Sequence, residues 1–170
     1  MKIGIIADTH DRLPLIDRAV QRMNDEKVEL VLHAGDYIAP FVVPRFEPLK
    51  AKLVGVFGNN DAEKGLLCKK FEDMGAYVRA SFAEIRSDHL RIALLHGEET
   101  DLLESLVRTD SYDVVVHGHT HQALTRREGN TLVVNPGEVC GYLSNRATVA
   151  VLDTETMDVR VVSLSKGSVE

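Results

Sequence analysis

The order of elements along the chain predicts an α/β fold in which two β-sheets pack face to face with helices outside. Two observations lead there. Short apolar strand-like runs alternate with helical periods through the first half, while the second half is mostly antiparallel strand pairs with one helix. Facing sheets with helices on their outer surfaces bury all of these apolar faces at once.

Each element has a local reason. Residues 2–7 (KIGIIA) form a continuous apolar run, the mark of a strand buried on both faces. Residues 13–25 carry Leu15, Ile16, Ala19, Val20 and Met23 at a helical period, and Pro14 suits a first helical turn. Residues 30–33 predict the next strand. Residues 39–46 predict a segment whose helicity is limited by Pro40 and Pro44. Residues 52–57 predict a third strand, and 65–74 a helix ended by Gly75. Residues 82–86 and 90–95 flank Ser87-Asp88-His89 as a hairpin. Residues 102–107 predict a short helix and 114–117 an apolar strand. Residues 123–127 and 131–135 flank Glu128-Gly129-Asn130 as strand, turn, strand. Residues 149–153 and 159–164 predict a closing hairpin. With no linker, repeat or low-complexity tract, residues 1–165 read as one domain and 166–170 as a flexible tail.

Composition narrows the function. A chain of 170 residues buries roughly 70% of its unfolded surface, so its core needs neither disulfide nor structural metal. A metal here would serve function. Twenty basic against 26 acidic residues give a net charge of -6, which argues against long nucleic acids and anionic membranes as partners. Cys68 and Cys140 fit no zinc or redox spacing and read as free thiols of a reducing compartment. The first residues lack the apolar core of a signal peptide, and no apolar run approaches the length that spans a bilayer. The cytoplasm is the expected location. Small apolar surface strands are compatible with a homodimer.

Polar residues gather where apolar strands end: Asp8-Thr9-His10, His33-Ala34-Gly35-Asp36, Gly58-Asn59-Asn60-Asp61, His96-Gly97 and His117-Gly118-His119-Thr120-His121. Sites in α/β sheets lie beyond the carboxyl ends of the strands. Asp8 and His10 are two apart, as are His119 and His121; in extended chain such pairs project from one side and can grip one centre or two neighbouring ones. A set rich in histidine and carboxylate suits Mn, Fe, Ni, Co or Zn better than Ca or Mg. Singly these pieces are ordinary, since an Asp-x-His at a strand end is usually turn chemistry and a Gly-Asp says little. Their joint occurrence in order argues against coincidence.

Taken together, Asp8-x-His10, Gly35-Asp36, Gly58-Asn59-x-Asp61, His96 and Gly118-His119-x-His121 resemble the five-part signature of the calcineurin-like metallophosphoesterases, over nearly the whole chain. The length and Asn135-Pro136-Gly137 resemble the small single-domain phosphodiesterase branch. The resemblance implies a four-layer α-β-β-α sandwich of two mixed sheets flanked by helices. It implies that Asp8, His10, Asp36 and His121 hold one metal ion. Asp36, Asn59, His96 and His119 hold a second, with Asp36 shared. His33 and Asp61 orient ligands without binding metal. It implies two divalent transition-metal ions, Mn foremost, with Ni, Fe or Zn sharing these ligands. The implied reaction is hydrolysis of a small phosphate ester by a bridging hydroxide, with no Ser or Cys nucleophile. Two divalent ions, Asp8, Asp36 and a hydroxide sum to about +1, enough to draw a phosphate ester into an acidic protein.

Two positions depart from that family's pattern. Its third motif commonly carries a histidine thought to protonate the leaving oxygen, where this chain has Asn60. An amide can bond a phosphoryl oxygen but donates no proton at neutral pH. Asp36 and Asn60 are therefore read as the catalytic pair, with a preference for good leaving groups. Glu98 stands where some relatives have histidine, without an assigned role. His117 is expected to point away from the metals and His89 to lie in a turn; Glu138, next to Asn135-Pro136-Gly137, could reach a site but is read as solvated at the surface. Arg126, Arg127 and Lys166 are too sparse for a nucleic-acid patch. A protein-binding scaffold, as in the retromer subunit that resembles this family, and a phosphomonoesterase are the rival readings. Seven ligand-competent residues at all seven ligand positions favour the enzyme.

Overall fold

Eleven strands and three α-helices build the computed structural model, which describes residues 1–164. The tail expected at 166–170 lies outside the described residues. The first half runs β1 (Lys2–Ile6), α1 (Leu13–Asp25), β2 (Leu30–His33), a 3₁₀ segment (Pro40–Phe46), β3 (Lys52–Gly55), α2 (Lys64–Asp73) and β4 (Tyr77–Val78). Next come β5 (Phe82–Ser87), β6 (Leu90–Leu95), α3 (Thr100–Arg108), β7 (Val114–Val116), β8 (Ala123–Glu128) and β9 (Thr131–Pro136). The last two strands are β10 (Thr148–Asp153) and β11 (Val159–Ser163).

Both sheets are mixed. The first has the order β11-β10-β1-β2-β3-β4, with β1 to β4 parallel and β10 antiparallel to β1. The second has the order β5-β6-β7-β9-β8, with β6, β7 and β9 parallel and the edge strands antiparallel. The second half is thus less antiparallel than its hairpins suggest. Helix α3 carries the chain from β6 into a parallel β7, and the β8–β9 hairpin inserts by its second strand. The closing hairpin leaves this sheet and extends the first one.

Alternation along the strands sorts three apolar layers. Ile3, Ile5 and Leu32 of the first sheet meet Ile92, Leu94, Val114, Val116 and Val134 of the second between the sheets. The outer face of the first sheet, with Ile6, Val31 and Leu53, packs on Ile16 and Met23 of α1, Phe46 of the 3₁₀ segment and Phe71 of α2. Ala93, Leu95, Val115 and Val133 point the other way from the second sheet, onto Leu103 and Val107 of α3. Each fully buried Leu, Ile or Phe contributes about 1.5–3 kcal/mol, so register is strongly specified. Packing along each strand's inner and outer faces brings the carboxyl ends of β1, β2, β3, β6 and β7 to one edge of the sandwich. The two-residue β4 carries too little pattern to be read locally; it is recruited by pairing with β3.

Candidate metal centre

The chain leaves these strand ends in unusual backbone. Asp8, His10, Asp36, His119 and His121 all have positive φ, between 46° and 66°. The two-apart pairs are therefore not presented by an extended chain, as their spacing suggested; left-handed turns aim them. Such residues cost roughly 1–3 kcal/mol each and persist where the surroundings over-determine them. Here cross-strand bonds do so: Asp8 N–H donates to Gly35 O at 3.1 Å, His10 N–H to Asp36 O at 2.9 Å, and His119 N–H to the Asp8 carboxylate at 3.1 Å. Close approach also needs glycine. A Cβ on Gly58 would lie 2.2 Å from Asp36 Oδ1, and one on Gly118 would lie 2.8 Å from both Ala7 Cβ and Asp8 Oδ2.

Asp8, His10, Asp36 and His121 offer ligand atoms that all lie within 4.8 Å of one another. His10 Nε2 is 3.6 Å from Asp36 Oδ2, and His121 Nε2 is 3.4 Å from Asp8 Oδ1. Asp8 Oδ1 and His10 Nε2 are buried with no hydrogen-bond partner. Buried polar atoms without partners are costly, and donor atoms converging on one point without bonding each other fit a cation. The residues present therefore fit a divalent metal ion.

The neighbouring group is closed by its own hydrogen bonds. Asn59 Oδ1 accepts from His96 Nε2 at 3.0 Å and from His119 Nδ1 at 3.1 Å. His96 Nε2 also lies 3.4 Å from Asp36 Oδ2, which places Asp36 between the two groups. Asn60 Nδ2 donates to Asp36 Oδ2 at 2.7 Å, and its backbone N–H to Oδ1 at 2.9 Å. Asn59 and Asn60 are both exposed.

Charge is finely divided here. Burial pushes the Asp8 carboxyl up to about 7 against the pull of His96 and His121. Burial alone would raise Asp36 too, but bonds from His96 and Asn60 outweigh it and hold Asp36 well below the usual carboxylate range. Burial would lower His96, yet the Asp36 carboxylate carries it up to about 9. Burial lowers His10 and His119.

Other named residues lie around this cluster. Asp61 accepts the backbone N–H groups of Asp36, Tyr37, Ile38 and Gly58, so it shapes the turn that carries Asp36. His33 is fully buried, pushed down to about 3 by burial, and accepts Gly35 N–H at Nδ1 while Nε2 meets the Thr9 hydroxyl. His117 is buried against Gly118 O and Asn135. His89 lies in the β5–β6 turn, and Glu98 is exposed. Glu138 contradicts the surface reading: it is 0% exposed and bonded to His121. Burial would raise its carboxyl, but surrounding donors hold it at about 2. Its one sequence signal is its place after Asn135-Pro136-Gly137. Cys140, a free thiol, is buried beside it, and its sulfur lies within 4.8 Å of ligand atoms of His10 and His121. Among the described residues, no helix is long and apolar enough to cross a membrane.

Comparison with known proteins agrees with this arrangement. Residues 1–157 match the model of the calcineurin-like phosphoesterase superfamily domain. The chain is 41% identical over 165 residues to phosphodiesterase MJ0936 of Methanocaldococcus jannaschii, covering 96% of this chain and 99% of that protein. A solved archaeal phosphodiesterase superposes with a TM-score of 0.92 at 40% identity, over 96% of this chain and 99% of that one. YfcE, a phosphoesterase from Escherichia coli, shares the fold at a TM-score of 0.70 and 21% identity, over 97% of this chain and all of that one. The chain belongs to the calcineurin-like metallophosphoesterase superfamily, in its small single-domain phosphodiesterase branch.

Proposed function

We propose that this chain hydrolyses small phosphodiesters at a centre of two divalent ions that share Asp36. The observation that carries the reading is the pair of partnerless buried atoms, Asp8 Oδ1 and His10 Nε2, converging with Asp36 and His121. Asp8, His10, Asp36 and His121 would hold one ion, and Asp36, Asn59, His96 and His119 the other. Mn suits this mixed nitrogen and oxygen set, as do Ni, Fe and Zn. Such ions, when bound, would lower the pKa of a bound water and neutralise charge on phosphoryl oxygens.

The chain's own residues supply placement and exclusion. Asp61 and His33 fix the backbone on which Asp36 and Asp8 stand. Asn60, exposed beside Asp36, presents an amide N–H to a phosphoryl oxygen once its bond to Asp36 is released. It has no proton to give a leaving alkoxide at neutral pH. Aryl diesters should therefore be good substrates and alkyl monoesters poor ones. Two sheets sharing one apolar layer support residues 1–165 as one domain, and two free cysteines support a cytoplasmic setting.

The test is hydrolysis of aryl and alkyl diesters and monoesters by metal-stripped protein, with Mn, Ni, Fe, Zn or Mg added back. Activity restored by none of them removes the reading. Plotted against leaving-group pKa, log kcat/KM should fall steeply for the wild type. Asn60→His should flatten the plot and raise the poorest leaving groups by about 10²-fold or more. A flat wild-type plot, with chemistry rate-limiting, would assign the proton to another residue.

A further inference from the structure

Glu138 follows β9 at an isolated bridge to Ala147 and is enclosed by donors. Its Oε2 accepts His121 Nδ1–H at 2.7 Å, the Cys140 thiol at 2.9 Å and Tyr142 N–H at 2.8 Å. Its Oε1 accepts Leu143 N–H at 3.0 Å, Ser144 N–H at 2.5 Å and the Ser144 hydroxyl at 2.7 Å. Both oxygens face donors, three of them successive backbone N–H groups, an arrangement built for an anion. A glutamine here would turn its NH₂ toward donors whichever way it flipped.

The anion constrains His121. A neutral imidazole carries one N–H, and an acceptor beside Nδ1 keeps it there. Nε2 then holds a free lone pair, and Nε2 is the atom 3.4 Å from Asp8 Oδ1. The same carboxylate anchors the 142–144 turn, whose Tyr142 ring lies edge-on 5.7 Å from the His10 ring. Tyr142 is further fixed by its hydroxyl on Asp11 and by Arg12 stacked 5.0 Å from its centroid.

We propose that Glu138 is a positioning residue that fixes His121 in its Nδ1–H tautomer, aims Nε2 at the metal centre, and ties this ligand to the Tyr142 turn. The inference rests on His121 being a ligand, as proposed above. A carboxylate behind a metal-binding histidine typically matters roughly 10- to 100-fold in metal affinity.

Nitrogen-15 NMR of the imidazole rings, on metal-free protein near pH 8 where free imidazole is neutral, reads the tautomer without any activity. The His121 signals, identified by their loss in His121→Ala, should show Nδ1–H in the wild type. Nε2–H in the wild type overturns the proposal, and this arm needs no variant of Glu138 to fold. Glu138→Gln should shift the tautomer and weaken Mn²⁺ binding, read by calorimetry, by roughly 10- to 100-fold. Ser144→Ala removes one donor from Oε1 alone and should leave tautomer and Mn²⁺ affinity near wild type. Equal Mn²⁺ affinity in wild type and folded Glu138→Gln overturns the positioning role. Mn²⁺ bound by neither overturns the two-metal reading instead, and the wild-type tautomer then decides the role of Glu138.

Discussion

The two groups of candidate ligands meet at Asp36 and differ in how they are held. On the Asp8 side, His10 and His121 face the Asp36 and Asp8 carboxylates at 3.6 and 3.4 Å, and Asp8 Oδ1 and His10 Nε2 are buried without a hydrogen-bond partner. On the Asn59 side, His96 and His119 are both bonded to one amide oxygen, and Asn59 and Asn60 are exposed. A cation entering the Asp8 side meets atoms already free. A cation entering the Asn59 side must first replace hydrogen bonds from two imidazoles and, on Asp36, from Asn60. The difference teaches that one fold edge can hold one group of polar atoms left free and another closed by its own hydrogen bonds. It predicts that the Asp8 side fills first and more tightly.

Three measurements sharpen or break that contrast. The largest effect belongs to Asp36, the ligand proposed for both sides. Asp36→Asn should lower both metal occupancies together and cost at least about 10³-fold in kcat/KM, since metal charge stabilisation is worth several kcal/mol and each 1.36 kcal/mol is tenfold. One full site and one unchanged weak site, by metal analysis, would show that the sides do not share it. Next, His121→Ala and His119→Ala should differ. Loss of His121 from the buried side should weaken the tighter of two Mn²⁺ binding steps, and loss of half-buried His119 the weaker one, by roughly 10- to 100-fold each or more. Calorimetric titration separates the steps; identical profiles for the two variants would break the comparison.

The smallest effect tests the support behind the Asp8 side. His33 is neutral and buried, with its folded pKa lowered to about 3. A lowered histidine pKa contributes stability that is present above the unfolded value of about 6.5 and is lost as pH falls toward 3. His33→Asn should therefore be less stable than wild type at pH 7, with the gap in Tm narrowing as pH falls to about 4. Asp8, raised to about 7, contributes with the opposite sign but is common to both proteins and cancels in the difference. Thermal melts of metal-free protein across this range measure the gap; a gap that is constant or widens would show that His33 carries no such burden.

What the sequence determined by itself is local. The apolar period from Leu15 to Met23 fixes α1, and the strand runs that end in Asp8, Asp36, Asn59, His96 and His119 mark where candidate ligands cluster. The type and order of the candidate ligands along the chain were legible because each depends on residues a few positions apart. Tertiary structure decided the rest. That β10 and β11 join the first sheet, and that β9 lies parallel to β7, depends on pairings between distant strands with similar apolar patterns. The left-handed turn at His121 is set by contacts that spacing does not encode. Glu138 looked like a surface carboxylate because its partners are His121, 17 residues before it, and a turn that folds back over it. Asn60 likewise shows its amide on Asp36 only when β2 and β3 lie side by side. Period and residue chemistry are written along the chain, whereas burial and hydrogen-bond partnership exist only once distant segments share space.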